Sequence, residues 1–285
     1  MQALLDLLRI ILPVAYALVL MNYIGLFLRD DPLARRLATR GLVIAVSLHG
    51  LSLVARTIVL HRHPMANPLE SLTVIAFALA VVHLAVEVTH KTQGAGVFVI
   101  AVVFVFQLIA SAFMRPVEVE NPILRSPWFG IHTGSAILGY SAFAVSAAYG
   151  LLFLLLYREL KASRFGRLYE RLPSLDLLGH MTIRAAGVGL VFLSVAIAFG
   201  IIWSSKLVID AWHDPKFIVT VLLWFVYALC LGAHYVFGWS GRRVVYFSLI
   251  GFTIMLFSMA VVNLIFPSFH SFASLTPDLN RKVGG

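Results

Sequence analysis

Cysteine is almost missing from this sequence: Cys230 is the single one in 285 residues, and it lies inside an apolar run. An internal disulfide and any paired-thiol or Cys-rich zinc chemistry are thereby excluded. Charge is scarce as well. Only 12% of residues are charged, against about 25% in soluble domains, while 60% are hydrophobic and the mean hydropathy is +0.93. That balance excludes a water-soluble globule, and long apolar runs with 12% aromatics exclude a disordered chain or a coiled coil. Proline is nearly absent from the runs: of eleven, only Pro13 sits inside one. Helices explain the avoidance, because an interior proline removes a backbone hydrogen bond that lipid cannot replace. Transmembrane strands are not expected, since the runs are continuous rather than alternating.

What is present is a series of apolar runs, at about 5–28, 42–60, 69–89, 95–114, 130–156, 181–203, 217–237 and 244–266. Each is long enough to cross a ~30 Å hydrocarbon core as a helix. The sequence therefore predicts an all-α, polytopic membrane protein of about eight transmembrane helices, organised as a single domain over 1–285. The first run starts with Asp6 and lacks a small-residue cleavage site, so it reads as a span rather than a signal. The net charge of +9 is carried by the loops. Gaps 29–41, 90–94, 157–180 and 238–243 hold twelve Lys and Arg, and the opposite ends and gaps hold eight. The positive-inside rule puts both termini on the outer, periplasmic side of a bacterial inner membrane. No basic and aromatic surface segment is left to bind nucleic acid.

Ten histidines in so apolar a chain are its most unusual feature. Imidazole is costly in hydrocarbon and faces a polar interior or a ligand there. His49, His83 and His234 fall in the half of the spans nearer the cytoplasm, His49 some ~10 Å deep at 1.5 Å per residue. His132 opens the fifth span at the outer face, and His270 comes just after the last span at the same face. Histidines from separate helices at two depths suit bis-imidazole haem sites or histidine-only zinc or copper sites, and lone helix-packing hydrogen bonds are the third possibility. The outer loop running from Trp203 to Trp212-His213-Asp214-Pro215-Lys216 adds aromatic faces on which a flat macrocycle can lie.

Trp128-Phe-Gly-Ile-His132, Trp224-Phe-Val-Tyr227, His234-Tyr235, Gly238-Trp239-Ser-Gly241-Arg242-Arg243 and Asn263 to His270-Ser-Phe together resemble the cytochrome c assembly family of haem-handling membrane proteins, with its CcsA-, CcmC-, HemX- and YpjD-type branches. The likeness is densest over 128–272. Asn67-Pro-Leu-Glu70-Ser71 is similar to the family's entry to a span and brings a carboxylate near the outer site. The resemblance implies His132 and His270 as outer axial ligands of haem iron, His234 and His49 as ligands within the membrane, and Trp212 and Asp214 as part of the outer haem-binding loop. It implies haem b as the bound group, with apocytochrome c and a partner membrane subunit as further partners.

The tryptophan-rich loop of the haem-delivery branches is thinned here: His213 replaces an aromatic residue, and Phe217 stands where an acid is expected. Two functions are expected on this basis. One is haem handling or delivery for cytochrome c assembly. The other is a HemX-like regulatory or interaction role without haem transfer. Covalent haem attachment by this chain alone is not expected, because it supplies no thiol pair; at most it is the haem-handling part of a cytochrome c synthase completed by a partner subunit. A secondary transporter is disfavoured, since no internal repeat or broken span is visible.

Overall fold

The computed structural model describes residues 2–114, 122–207 and 211–259. All regular structure among the described residues is helical: α1 (Gln2–Arg29), α2 (Pro32–Leu60), α3 (Pro68–His90), α4 (Gly96–Phe113), α5 (Pro127–Lys161), the short α6 (Arg167–Arg171), α7 (Leu175–Leu207), α8 (Pro215–Phe237) and α9 (Arg242–Phe257). Seven of the described helices are long and apolar enough to cross a membrane. The chain is thus a multi-pass membrane protein. The described part of the eighth expected span is α9, and residues 260–285, His270 among them, lie outside the described residues.

Several helices outrun their apolar cores. The clearest case is α2, which begins ten residues before the expected 42 because Asp31 caps it, accepting from the Leu33 amide, and Pro32 opens its first turn. Its added turns carry Arg35, Arg36 and Arg40. Proline also opens α3, α5 and α8, in the one position of a helix where its missing N–H is not needed.

Helix α5 joins two packing groups. On one side it meets a core built from α1 to α4, and on the other it packs with α7, α8 and α9. Its most extensive contact is with α7. Glycines make that approach possible: a Cβ on Gly189 would press into the Phe143 ring, and one on Gly139 would lie 3.1 Å from the Leu193 amide nitrogen. Close backbone approach through small residues is how helices gain contact in lipid, which provides no hydrophobic drive between them. Phe143 in turn stacks on Tyr227 of α8 at 3.6 Å between ring centres, and the Tyr227 hydroxyl donates to the Ser248 carbonyl of α9.

Connections on one face of the bundle, here called the basic face, carry the surplus of Lys and Arg. Asp30, between α1 and α2, meets both Arg35 and Arg171, the latter at 3.1 Å. The hydrogen bond from Arg35, and then the charges of Arg35 and Arg171, hold the Asp30 carboxyl below the usual carboxylate range. This tie between loops is therefore present at neutral pH and is lost as pH falls through that lowered value.

Candidate functional site

His132 stands in the second turn of α5, at the face opposite the basic one. Its Nδ1 lies 2.8 Å from the Ala196 carbonyl of α7. A carbonyl only accepts, so Nδ1 carries the proton, and in the neutral ring the lone pair is then on Nε2. Gly200, one turn along from Ala196, gives the ring its place: a Cβ there would sit 2.9 Å from His132 Cε1 and Nδ1. Around it Trp203 lies 6.3 Å away by ring centres, Phe129 meets Trp203 at 6.0 Å, and Trp128 meets Phe199 at 5.7 Å. The result is an aromatic wall beside one imidazole whose orientation and tautomer are set.

Trp212 and Asp214 stand at the same end of the bundle, in the entry to α8. Trp212 is 65% exposed and packs edge-on against Phe217 at 5.5 Å. Buried Asp214 is the N-cap of α8, accepting from the Lys216 and Phe217 amides at 2.8 and 3.1 Å. The Asp-Pro pair is a helix-start signal in the sequence, and capping is the work the structure shows for Asp214.

His234 lies in the last turn of α8, at the basic face. Gly238 (φ 65°) and Gly241 (φ 59°) take left-handed backbone conformations that other residues rarely adopt. The turn they make brings the Trp239 amide to the Ala233 carbonyl and the Trp239 carbonyl to 2.6 Å from His234 Nδ1. Again the imidazole donates through Nδ1 and keeps its lone pair on Nε2. The ring borders a cavity of about 220 Å³ lined also by Phe153, Asp176, His180 and Gly241. That is below the roughly 300–1,000 Å³ of pockets enclosing drug-sized ligands, so the cavity is too small to enclose a whole macrocycle. The Tyr235 ring lies 4.9 Å from that of His234 by centres, and across the cavity the His180 ring of α7 lies 6.5 Å away. By sequence alone it is an interface residue, although Asp176 and His180, four apart, mark one helix face pointing at this cavity.

His49 occupies a different setting. The early start of α2 puts it roughly 25 Å from the Pro32 end and roughly 16 Å from the Leu60 end at 1.5 Å per residue. It therefore lies nearer the His132 face, not in the half next to the basic face as its distance from residue 42 suggests. It is fully buried and engages both ring nitrogens, Nδ1 with the Tyr16 hydroxyl at 3.1 Å and Nε2 with the Thr73 hydroxyl at 3.2 Å. Thr73 continues to Gln107 at 2.6 Å, and Gln107 to Ser111 at 2.9 Å, so a polar chain crosses α1 to α4. His49 and His234 are in separate halves of the bundle and toward opposite faces. They do not form a pair.

Two buried carboxylates have partners that only the tertiary structure brings together. Glu70 receives both guanidinium nitrogens of Arg62, at 2.8 and 2.9 Å, and the Ala66 amide at 2.9 Å. The Asn67 to Glu70 element is a helix cap, with Asn67 Oδ1 accepting from the Glu70 amide. It ties down the α2–α3 loop, whose His63 ring packs over Gly130 of α5 and 6.2 Å from Phe129. Glu87 is the second, buried with His83 in α3. Their spacing of four is the signal that could have found it.

Residues 65–270 match the family described as Cytochrome C assembly protein. The chain is 25% identical to cytochrome c biogenesis protein CcsA of Mesostigma viride over 84% of its own length and 86% of the relative's. It is 28% identical to protein HemX of Brevibacillus brevis, covering 77% and 82%. With inner membrane protein YpjD of Escherichia coli (strain K12) the identity is 25%, covering 85% and 91%.

Proposed function

This chain belongs to the cytochrome c assembly protein family, and from that premise we propose that it handles haem at a bacterial inner membrane during cytochrome c biogenesis. One observation carries the reading. His132 and His234, on different helices and at opposite faces, each donate Nδ1–H to a backbone carbonyl, 2.8 and 2.6 Å away. Metal-ligating histidines are held this way, because the second hydrogen bond fixes the ring and raises the basicity of the ligating nitrogen. In the proposal His234 ligates the iron of haem b at the basic face, where Arg242 and Arg243 stand at the start of α9 to meet propionates. His132 and His270 ligate it at the opposite face beside Trp203, Trp128 and Trp212. His49 enters as an internal ligand only by giving up its bonds to Tyr16 and Thr73. Haem, when bound, would supply the iron for these imidazoles and the propionates for Arg242 and Arg243, and the chain's residues would orient and hold it. Apocytochrome c and a partner membrane subunit supply the thiols for attachment.

The test is the absorption spectrum of the detergent-purified, reduced protein. Stoichiometric low-spin haem is expected, and a chain without haem after haem supplementation would overturn the reading. The exposed Trp212 and the capping role of Asp214 favour a second reading, a HemX-like regulatory protein that does not transfer haem. Co-purification with a c-type apocytochrome separates the two.

The proposal places both termini and His132 outside the cytoplasm. Reporter fusions should read outside at Gly285 and inside in the loop near Arg164. An outside signal near Arg164 would reverse the topology and with it the direction of haem movement.

A further inference from the structure

Between α1, α2, α3 and α5, close to the basic face, His83 and Glu87 are 0% and 1% exposed and face each other, with Nε2 3.3 Å from Oε2. His83 Nδ1 lies 2.7 Å from the Tyr149 hydroxyl of α5. The Glu87 carboxylate accepts from the Tyr23 hydroxyl of α1, at 2.7 and 2.9 Å, and from the Thr39 hydroxyl of α2, at 2.6 Å. The titratable groups facing the pair are thus Tyr23 and Tyr149, with α2 contributing only a hydroxyl. Among the described residues Glu87 meets no Lys or Arg. His83 Nε2 makes no hydrogen bond, although it is buried and aimed at the carboxylate.

An ionised Glu87 beside a neutral His83 leaves one negative charge uncompensated in an apolar bundle, and such a charge is costly unless it is paired or neutralised. One added proton removes the cost, either as carboxylic acid or as imidazolium against carboxylate. A polar path also links this site to the basic face. Thr39 Oγ1 accepts from Gln93 Nε2 at 2.7 Å, and the same amide nitrogen donates to the Arg35 carbonyl at 3.0 Å in the first turn of α2. In the other direction, toward His49, the facing side chains are the apolar Leu42, Ala45, Ala76 and Ala80, all buried.

We propose that His83 and Glu87 form an intramembrane proton-binding site, loaded and unloaded from the basic face through Thr39 and Gln93. A proton leaves water at that face, binds to the pair, and changes its net charge from −1 to 0, with no other bond broken. The charge state of the α1–α3–α5 junction then tracks the pH on that side. The inference rests on this packing and not on haem.

The experiment uses the full chain in detergent, stepped in pH and monitored by infrared difference spectroscopy and by a pH-indicator dye. The wild type is expected to bind one proton per chain more than Glu87→Gln over the same pH step, with a carboxylic-acid or imidazolium band that the variant lacks. Glu87→Gln should lose both the band and the uptake while keeping its haem content. His83→Gln should shift the midpoint of the titration, and Gln93→Ala should slow loading without changing the stoichiometry. Uptake and spectra that are the same in Glu87→Gln and wild type would overturn the proposal. If Glu87→Gln does not fold, His83→Gln supplies the comparison: a titration and difference spectrum the same as the wild type's reject the site. Loss of haem in His83→Gln with proton uptake intact would instead make His83 an iron ligand and also reject it.

Discussion

His234→Ala is expected to lower haem bound per folded chain by roughly tenfold or more, within the range seen when metal-site partners are removed. The ring is held by a turn whose two glycines cannot be replaced without strain. Gly238 and Gly241 have φ of 65° and 59°, and their conformations aim the Trp239 carbonyl at Nδ1. Gly238→Val should therefore reproduce part of the loss with His234 still present, because a mis-set turn releases the ring. His180→Ala is the matched control. Its ring centre is 6.5 Å from that of His234, and it borders the same cavity, but its Nε2 faces Asp176 at 3.5 Å. It should cost less haem than either. A purely structural His234 gives another pattern: lower yield or a lower melting temperature, with haem per folded chain unchanged. Equal haem content in His234→Ala and wild type would remove His234 from the ligand set.

The spans are legible in the sequence because their signals are local and additive. A run of ~20 apolar residues has one solution in lipid, and proline at 32, 68, 127 and 215 marks where helices start. Their true lengths are less legible. In α2 the first ten residues are basic and weakly apolar, yet Asp31 and Pro32 start the helix there, and this displaces His49 by nearly three turns relative to the expected inner boundary. Depth within a membrane is a property of the whole bundle, set for His49 by Thr73 and Gln107 on two other helices. Histidine roles suffer from the same limit. Sequence distinguishes an imidazole in a span from one in a loop, but not a ring with both nitrogens engaged, like His49, from one oriented by a single carbonyl, like His234. Pairs four apart on one helix are the exception. His83 with Glu87, and Asp176 with His180, are visible as helix faces without any tertiary contact. Glu87 is easily passed over because an acid near a span end also suits the membrane interface. Its burial depends on Tyr23 and Thr39, 64 and 48 residues away in the chain.

The outer histidine makes the stricter test of the haem reading, because its ring can be disturbed without being removed. If His132 is a ligand as proposed, His132→Ala removes it and leaves Trp203 and Phe129 in place, so the iron should lose its low-spin spectrum at that site. Added imidazole should restore it by filling the vacancy. His270→Ala should respond in the same way, since the proposal has both residues on one iron. Gly200→Ala then separates ligation from packing. The new Cβ would lie 2.9 Å from Cε1 and Nδ1 of His132, closer than carbon atoms approach, so the ring must move away from the Ala196 carbonyl. A moved ring loses the hydrogen bond that sets its tautomer, and metal affinity should fall by about 10- to 100-fold, as for the loss of an outer-shell partner. Haem content of Gly200→Ala should accordingly lie between those of wild type and His132→Ala, and imidazole should raise it. A His132 that only ties α5 to α7 predicts something else: both substitutions lower the melting temperature, and neither answers to imidazole. If His132→Ala and His270→Ala both keep the wild-type spectrum and haem content before imidazole is added, the outer site falls and the regulatory reading takes its place.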